Sequence, residues 1–215
     1  MKKVAVILSG CGVYDGAEIH ESVLTLLALE RAGASYKCFA PNINQLHVVN
    51  HLTGEVDEND TRNVLTEAAR ITRGAIEDVK SLNVNEFDIL MLPGGFGAAK
   101  NLCTFAIEGE NSQVNQDVLT VCKAFADANK VAGYACIAPA IIPTVYPNGV
   151  KLTIGNDADT AKAIEAMGGS HIVTSVEEVV EDERYKVFST PAYMLANNIL
   201  GAATSIDNLV NRILK

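Results

Sequence analysis

Cys136 stands in the run Gly133-Tyr134-Ala135-Cys136-Ile137-Ala138-Pro139-Ala140, where an apolar stretch gives way to a helix-starting pattern. Residues 130–135 read as a short buried strand, and Ala138 onward as the first turn of a helix with Pro139 near its start. A side chain at such a turn points outward, beside backbone N–H groups that lack partners and favour negative charge. A cysteine there is expected to have a depressed pKa and to be the most reactive of the five in this chain. An isolated cysteine often does no more than pack, so the nucleophile reading depends on which residues join it.

Two further stretches fall in loops just after expected strands, where an open α/β sheet places its ligand crevice. One is Ser9-Gly10-Cys11-Gly12-Val13-Tyr14-Asp15-Gly16-Ala17-Glu18-Ile19-His20-Glu21, the other Leu92-Pro93-Gly94-Gly95-Phe96-Gly97. Backbone N–H groups of a Gly-Gly turn can approach a ligand oxygen with no Cβ in the way, which is what an oxyanion hole requires; by itself Gly94-Gly95 could equally be an ordinary turn. Glu18 and Glu21 are three apart at the start of a helix and share a face near its positive end. Either could be a solvated or capping carboxylate, and Glu18 reads as one.

The elements that must position these residues alternate. Strands are expected at 3–8, 35–40, 87–92 and 131–135, with helices at about 18–32, within 112–129 and from 138. Beyond them the pattern predicts a strand at 151–154, a helix at 159–167, and short strands at Ile172-Val173, Val179-Val180 and 185–190. Glu181-Asp182-Glu183-Arg184 reads as a turn, and a final helix runs from about Tyr193 to Leu214. This alternation specifies an α/β fold, a flavodoxin-like three-layer sandwich with a mostly parallel sheet and helices on both faces. One domain spans 1–215, with a polar, charged insertion at about 42–85 that includes a helical stretch at 63–71.

Composition narrows the classes. Apolar content of 48% with 20% charged residues argues against disorder, and no apolar run is long enough to span a bilayer, so a soluble chain is expected. Met1-Lys2-Lys3 followed by Val4–Leu8 has the look of a signal peptide's start, but the chain then enters a loop, and the segment reads as a first buried strand. A formal net charge of −9 without a basic cluster disfavours nucleic acid and anionic membrane as partners. Cysteines at 11, 38, 103, 122 and 136 show no C-x-x-C spacing, which suits a reducing cytoplasm without disulfides or zinc. His47 and His51 could share a helix face, but Val48, Val49, Thr53 and Gly54 favour a strand or turn, so no metal site is expected. Gly10-x-Gly12-x-x-x-Gly16 has only a loose dinucleotide spacing, and the second strand ends in Ala40-Pro41-Asn42 without the acidic residue a ribose needs.

Taken together, Gly16-Ala17-Glu18 through Glu21, Leu92-Pro93-Gly94-Gly95 and Ala135-Cys136-Ile137-Ala138-Pro139 resemble the ThiJ/PfpI superfamily, related to class I glutamine amidotransferases, across nearly the whole chain. Residues 9–16, 94–102 and Thr190-Pro191-Ala192-Tyr193-Met194 are further similar to its bacterial glyoxalase branch, the ElbB or enhancing lycopene biosynthesis proteins. That resemblance implies a cytoplasmic, cofactor-free homodimer acting on glyoxal or a related small dicarbonyl. Cys136 and Glu21 would be catalytic, with Gly94, Gly95, Ile137 and Asn101 binding oxyanion or substrate. Glu21 should then sit within hydrogen-bond reach of the Cys136 sulfur and share its proton, with a raised pKa. Departures remove competing chemistries: Ile137 stands where related proteases carry histidine, Thr190-Pro191-Ala192 where amidotransferases carry His-Pro-Glu, and Gly155 where deglycases carry histidine. His20, next to Glu21, could assist it, although adjacent helical residues point about a third of a turn apart. An oxidisable, non-enzymatic thiol sensor or chaperone-like protein is the alternative reading of Cys136.

Overall fold

The computed structural model describes residues 1–215. The chain runs β1 (Lys3–Ile7), α1 (Ile19–Arg31), β2 (Ser35–Ala40), α2 (Val64–Ile71), β3 (Ile76–Asp78), β4 (Ile89–Leu92), α3 (Phe105–Glu108) and α4 (Gln116–Asp127). It continues β5 (Val131–Ala135), α5 (Ile142–Val145), β6 (Lys151–Leu152), α6 (Ala158–Ala166), β7 (Ser170–His171), β8 (Val180–Asp182), β9 (Val187–Thr190) and α7 (Ile199–Ile213). Seven strands form one sheet in the order β3-β2-β1-β4-β5-β9-β8, parallel except for the β8–β9 pair. Residues of β1, β4 and β5 are buried on both faces, which is why these strands read as nearly continuous apolar runs.

Alternate strand residues feed two cores. Ala5, Ile7, Leu90, Leu92, Ala132 and Tyr134 pack on one face with Val118, Cys122 and Phe125 of α4 and Ile164 of α6. Val4, Val6, Ile89, Met91 and Phe188 pack on the other with Ala28 and Leu29 of α1 and Ile206, Leu209, Val210 and Ile213 of α7. The three-layer α/β sandwich expected from the sequence is thus present. Because β1, β4, β5 and β9 are parallel, the loops after them emerge along one edge. The sheet order reverses between β1 and β4, and the crevice at that switch point is where such sheets bind ligands.

Several expected boundaries move. The helix from Ala138 is a 3-10 turn over Ala138–Ile141 followed by the single turn of α5, because Pro143 withholds an N–H donor and Pro147 holds Tyr146 extended. The strand placed at Ile172-Val173 forms two residues earlier, as β7 paired with β6. Glu181 and Asp182 lie in edge strand β8 rather than in a turn: Asp182 accepts the Lys151 N–H at 2.9 Å and pairs with Arg184, while Glu181 pairs with Arg212. The final helix begins at Ile199, capped by Asn198, whose side chain accepts the Gly201 N–H at 2.9 Å. Within residues 42–85 the helical stretch is α2, and the short strand β3 that extends the sheet had no recognisable signal in its three residues.

Candidate active site

β5 ends at Ala135, and Cys136 follows with φ 60°, a left-handed conformation that a non-glycine residue adopts only when its surroundings impose it. Its own N–H is held by the Thr190 carbonyl of β9 at 2.9 Å. This bend turns the thiol out of the sheet and toward the backbone N–H groups of Gly95 and Ile137, which favour negative charge on the sulfur. Cys136 is only 7% exposed.

Glu21 lies on the first turn of α1, fully buried. Its Oε2 accepts the Gly94 N–H at 2.9 Å, its Oε1 accepts the Tyr193 N–H at 3.1 Å, and its carboxyl lies beside the Cys136 thiol. Glu18 caps α1: its Oε2 accepts the Glu21 N–H at 2.6 Å, and its own N–H donates to the Gly94 carbonyl at 2.9 Å. The two carboxylates therefore divide into a cap and a partner of the thiol.

The electrostatics reverse one expectation. Burial, and then the neighbouring Glu21 carboxylate, push the Cys136 thiol well above its ordinary value; the two N–H donors oppose this without overcoming it. The depressed pKa expected from a helix N-terminus does not arise, because the turn that follows is too short and too enclosed to offset desolvation. Burial also raises Glu21 to about 7, moderated by the Tyr193 N–H and raised further by Glu18. The resting pair is a thiol beside a carboxyl that titrates near neutrality.

Gly94 and Gly95 are required by the approach of α1 and β5. A Cβ on Gly94 would lie 2.3 Å from Cys136 Cβ, 2.8 Å from Glu21 Oε2 and 2.9 Å from the sulfur. Gly95 has φ 97°, and a Cβ there would lie 2.3 Å from the Glu18 nitrogen. Gly94 departs from its expected role: its N–H is committed to Glu21, so Gly95 and Ile137 are the donors turned toward the sulfur.

Asn101 is a second correction. Its Nδ2 donates to the carbonyls of Ser9 and Asp15, both at 2.9 Å, and its Oδ1 accepts the Leu46 N–H at 2.9 Å. Its amide ties the loops after β1, β2 and β4 together, with both amide hydrogens committed to backbone carbonyls. Asn101→Ala is expected to cost about 2–4 kcal/mol through the buried groups left unpaired, read from denaturant midpoints.

None of the four histidines hydrogen-bonds Cys136 or Glu21. His51 accepts the Tyr14 N–H at 3.2 Å, His171 accepts the Ile154 N–H at 3.3 Å, and His20 meets the Tyr193 hydroxyl at 2.7 Å. Residues 51–53 form a turn, so His47 and His51 share no helix face, and no three His, Cys, Asp or Glu side chains cluster to hold a metal ion. Tyr193 is the residue of this site that the residue pattern did not assign. Its signal was position alone, in the loop just beyond β9. A groove of about 590 Å³ between residues 172–180 and α7 lies elsewhere, lined by none of these residues.

The sheet, the bend at Cys136 and the adjoining glycine turn define a class I glutamine amidotransferase-like α/β domain. No family model matches the chain. It is 44% identical over 222 residues, 99% of this chain and 82% of the relative, to glutamine amidotransferase-like class 1 domain-containing protein 3, mitochondrial, of Homo sapiens. A crystal structure of an isoprenoid biosynthesis protein with an amidotransferase-like domain from Ehrlichia chaffeensis superposes with a TM-score of 0.90 at 36% identity, covering 99% of this chain and 98% of that one. The chain belongs to this family of glutamine amidotransferase-like class 1 domain proteins. A DJ-1 superfamily protein from Salmonella typhimurium, 20% identical with a TM-score of 0.59 over 100% of this chain and 91% of that one, shares the fold. No helix is long and apolar enough to cross a membrane.

Proposed function

We propose that this protein is a cofactor-independent glyoxalase of the ElbB kind, converting glyoxal to glycolate and methylglyoxal to the corresponding hydroxy acid. The observation that carries the reading is the pairing of a buried thiol with a carboxyl that titrates near pH 7, under two N–H donors and with no histidine to complete a triad. Glu21 carboxylate takes the thiol proton as the Cys136 sulfur bonds to one aldehyde carbon. The resulting oxyanion is stabilised by N–H groups such as those of Gly95 and Ile137, then protonated to the hemithioacetal. Glu21 next removes the hydrogen from that carbon, giving an enediol, and returns a proton to the neighbouring carbon. The product is a glycoloyl thioester on Cys136, which water hydrolyses to glycolate and free thiol. Atoms and electrons balance within the substrate and one water, since one carbonyl carbon is oxidised as the other is reduced.

The low exposure of Cys136 favours an aldehyde of a few heavy atoms over a peptide or nucleotide. The thiol-sensor alternative is less well supported, because peroxide reacts with thiolate and burial keeps this thiol protonated. Purified protein with no added metal, glutathione or nucleotide is expected to release glycolate from glyoxal, followed by chromatography. Failure to form a hydroxy acid from either dicarbonyl sinks the proposal.

A further inference from the structure

Tyr193 touches α1 twice. Its N–H donates to Glu21 Oε1 at 3.1 Å, and its hydroxyl meets His20 Nδ1 at 2.7 Å, with ring centroids 5.8 Å apart. His20 and Glu21 are consecutive, so one side chain of the helix holds the phenol while the next receives the backbone donor of the same residue. The 3-10 turn carrying Tyr193, Ala192–Met194, is otherwise a strained element: Ala192 has φ 41°, and its N–H is held by Ser205 Oγ at 3.0 Å.

We propose that His20 and Tyr193 form a clasp that fixes this turn against α1, making both of them positioning residues for Glu21. The proposal rests on the Cys136–Glu21 reading above. The titratable neighbours of Glu21 are Glu18 on its own helix, Cys136 beyond β5 and Tyr193 beyond β9; the Gly94–Gly95 turn beyond β4 brings it only a backbone donor. Against the burial that raises Glu21, the Tyr193 N–H is the foremost opposing influence. A looser turn lengthens that hydrogen bond, destabilises the carboxylate and leaves less base at neutral pH.

The test is the pH dependence of Cys136 alkylation by iodoacetamide, located by mass spectrometry, which needs no turnover. Thiolate beside protonated Glu21 and thiol beside carboxylate have lost the same one proton, so alkylation follows the first titration of the pair. In His20→Ala and Tyr193→Phe the rising limb is expected to move up by about one pH unit, with the limb of glyoxal turnover moving alike. His20→Asn, whose amide can occupy the place of Nδ1, is expected to restore it. His20 is exposed, so His20→Ala keeps the test open if Tyr193→Phe does not fold. Unshifted limbs in both variants overturn the clasp while leaving the glyoxalase reading intact. A shifted alkylation limb without any glyoxal turnover sinks that reading and keeps the clasp.

Discussion

Cys136→Ala is expected to fold and to lose glyoxal turnover by about 10⁴-fold or more, because the covalent route has no second nucleophile. The remaining cysteines do not substitute. Cys38, Cys103 and Cys122 are buried, with Cys38 and Cys122 pushed up to about 12 by burial. Cys11 is half-buried in the loop after β1 and is raised by burial and by Glu67. Alanine keeps the Cβ and the strained backbone, so the loss is confined to the packing of one sulfur and its polar contact with Glu21, costing about 1–3 kcal/mol. Cys136→Ser separates chemistry from packing, since its hydroxyl can hydrogen-bond Glu21 but is not ionised at neutral pH. Acid quenching of the unmodified protein during turnover is expected to trap the glycoloyl thioester on Cys136. Alanine protein with undiminished turnover, or a thioester found on Cys11, would overturn the assignment.

The sequence exposed the site through punctuation. Cys136 and Gly94-Gly95 each follow an apolar run that ends abruptly, Glu21 opens the helix after the loop that leaves β1, and parallel strands necessarily bring such endings to one edge. The ionisation of the thiol was not legible, because helix N-termini are visible in sequence whereas desolvation depends on what α1 and the glycine turn place over the sulfur. Asn101 was misread for a related reason: an amide beside a glycine loop looks available until Ser9, Asp15 and Leu46 are seen to occupy it. The helix expected from Ala138 reflects an apolar run that Pro143 interrupts and that ends at Tyr146, which is extended because Pro147 follows it. Tyr193 escaped assignment because its contact with Glu21 is made by a backbone N–H, a group carried by every residue except proline.

Glu21→Gln is expected to slow turnover by about 10²–10⁴-fold, the usual contribution of a general acid or base, and also to change how stability depends on pH. In the folded protein Glu21 titrates near 7, raised from an ordinary value of 4.5. The folded state therefore holds a proton that the unfolded state releases between those values. The stability it contributes is fully present below about pH 4.5 and is lost as pH rises through about 7, amounting to roughly 3 kcal/mol. Glutamine cannot ionise, so the variant lacks this decline. Its amide can present an oxygen to only one of the Gly94 and Tyr193 N–H groups, which lowers its stability at every pH. Denaturant unfolding at pH 5 and pH 8 is thus expected to show the variant less stable than the unmodified protein at the lower pH. At the higher pH that deficit should close by up to the same 3 kcal/mol. A deficit that stays constant from pH 5 to pH 8 would mean that Glu21 is ionised throughout, and a carboxylate already charged at pH 5 would not be the buried base this site requires.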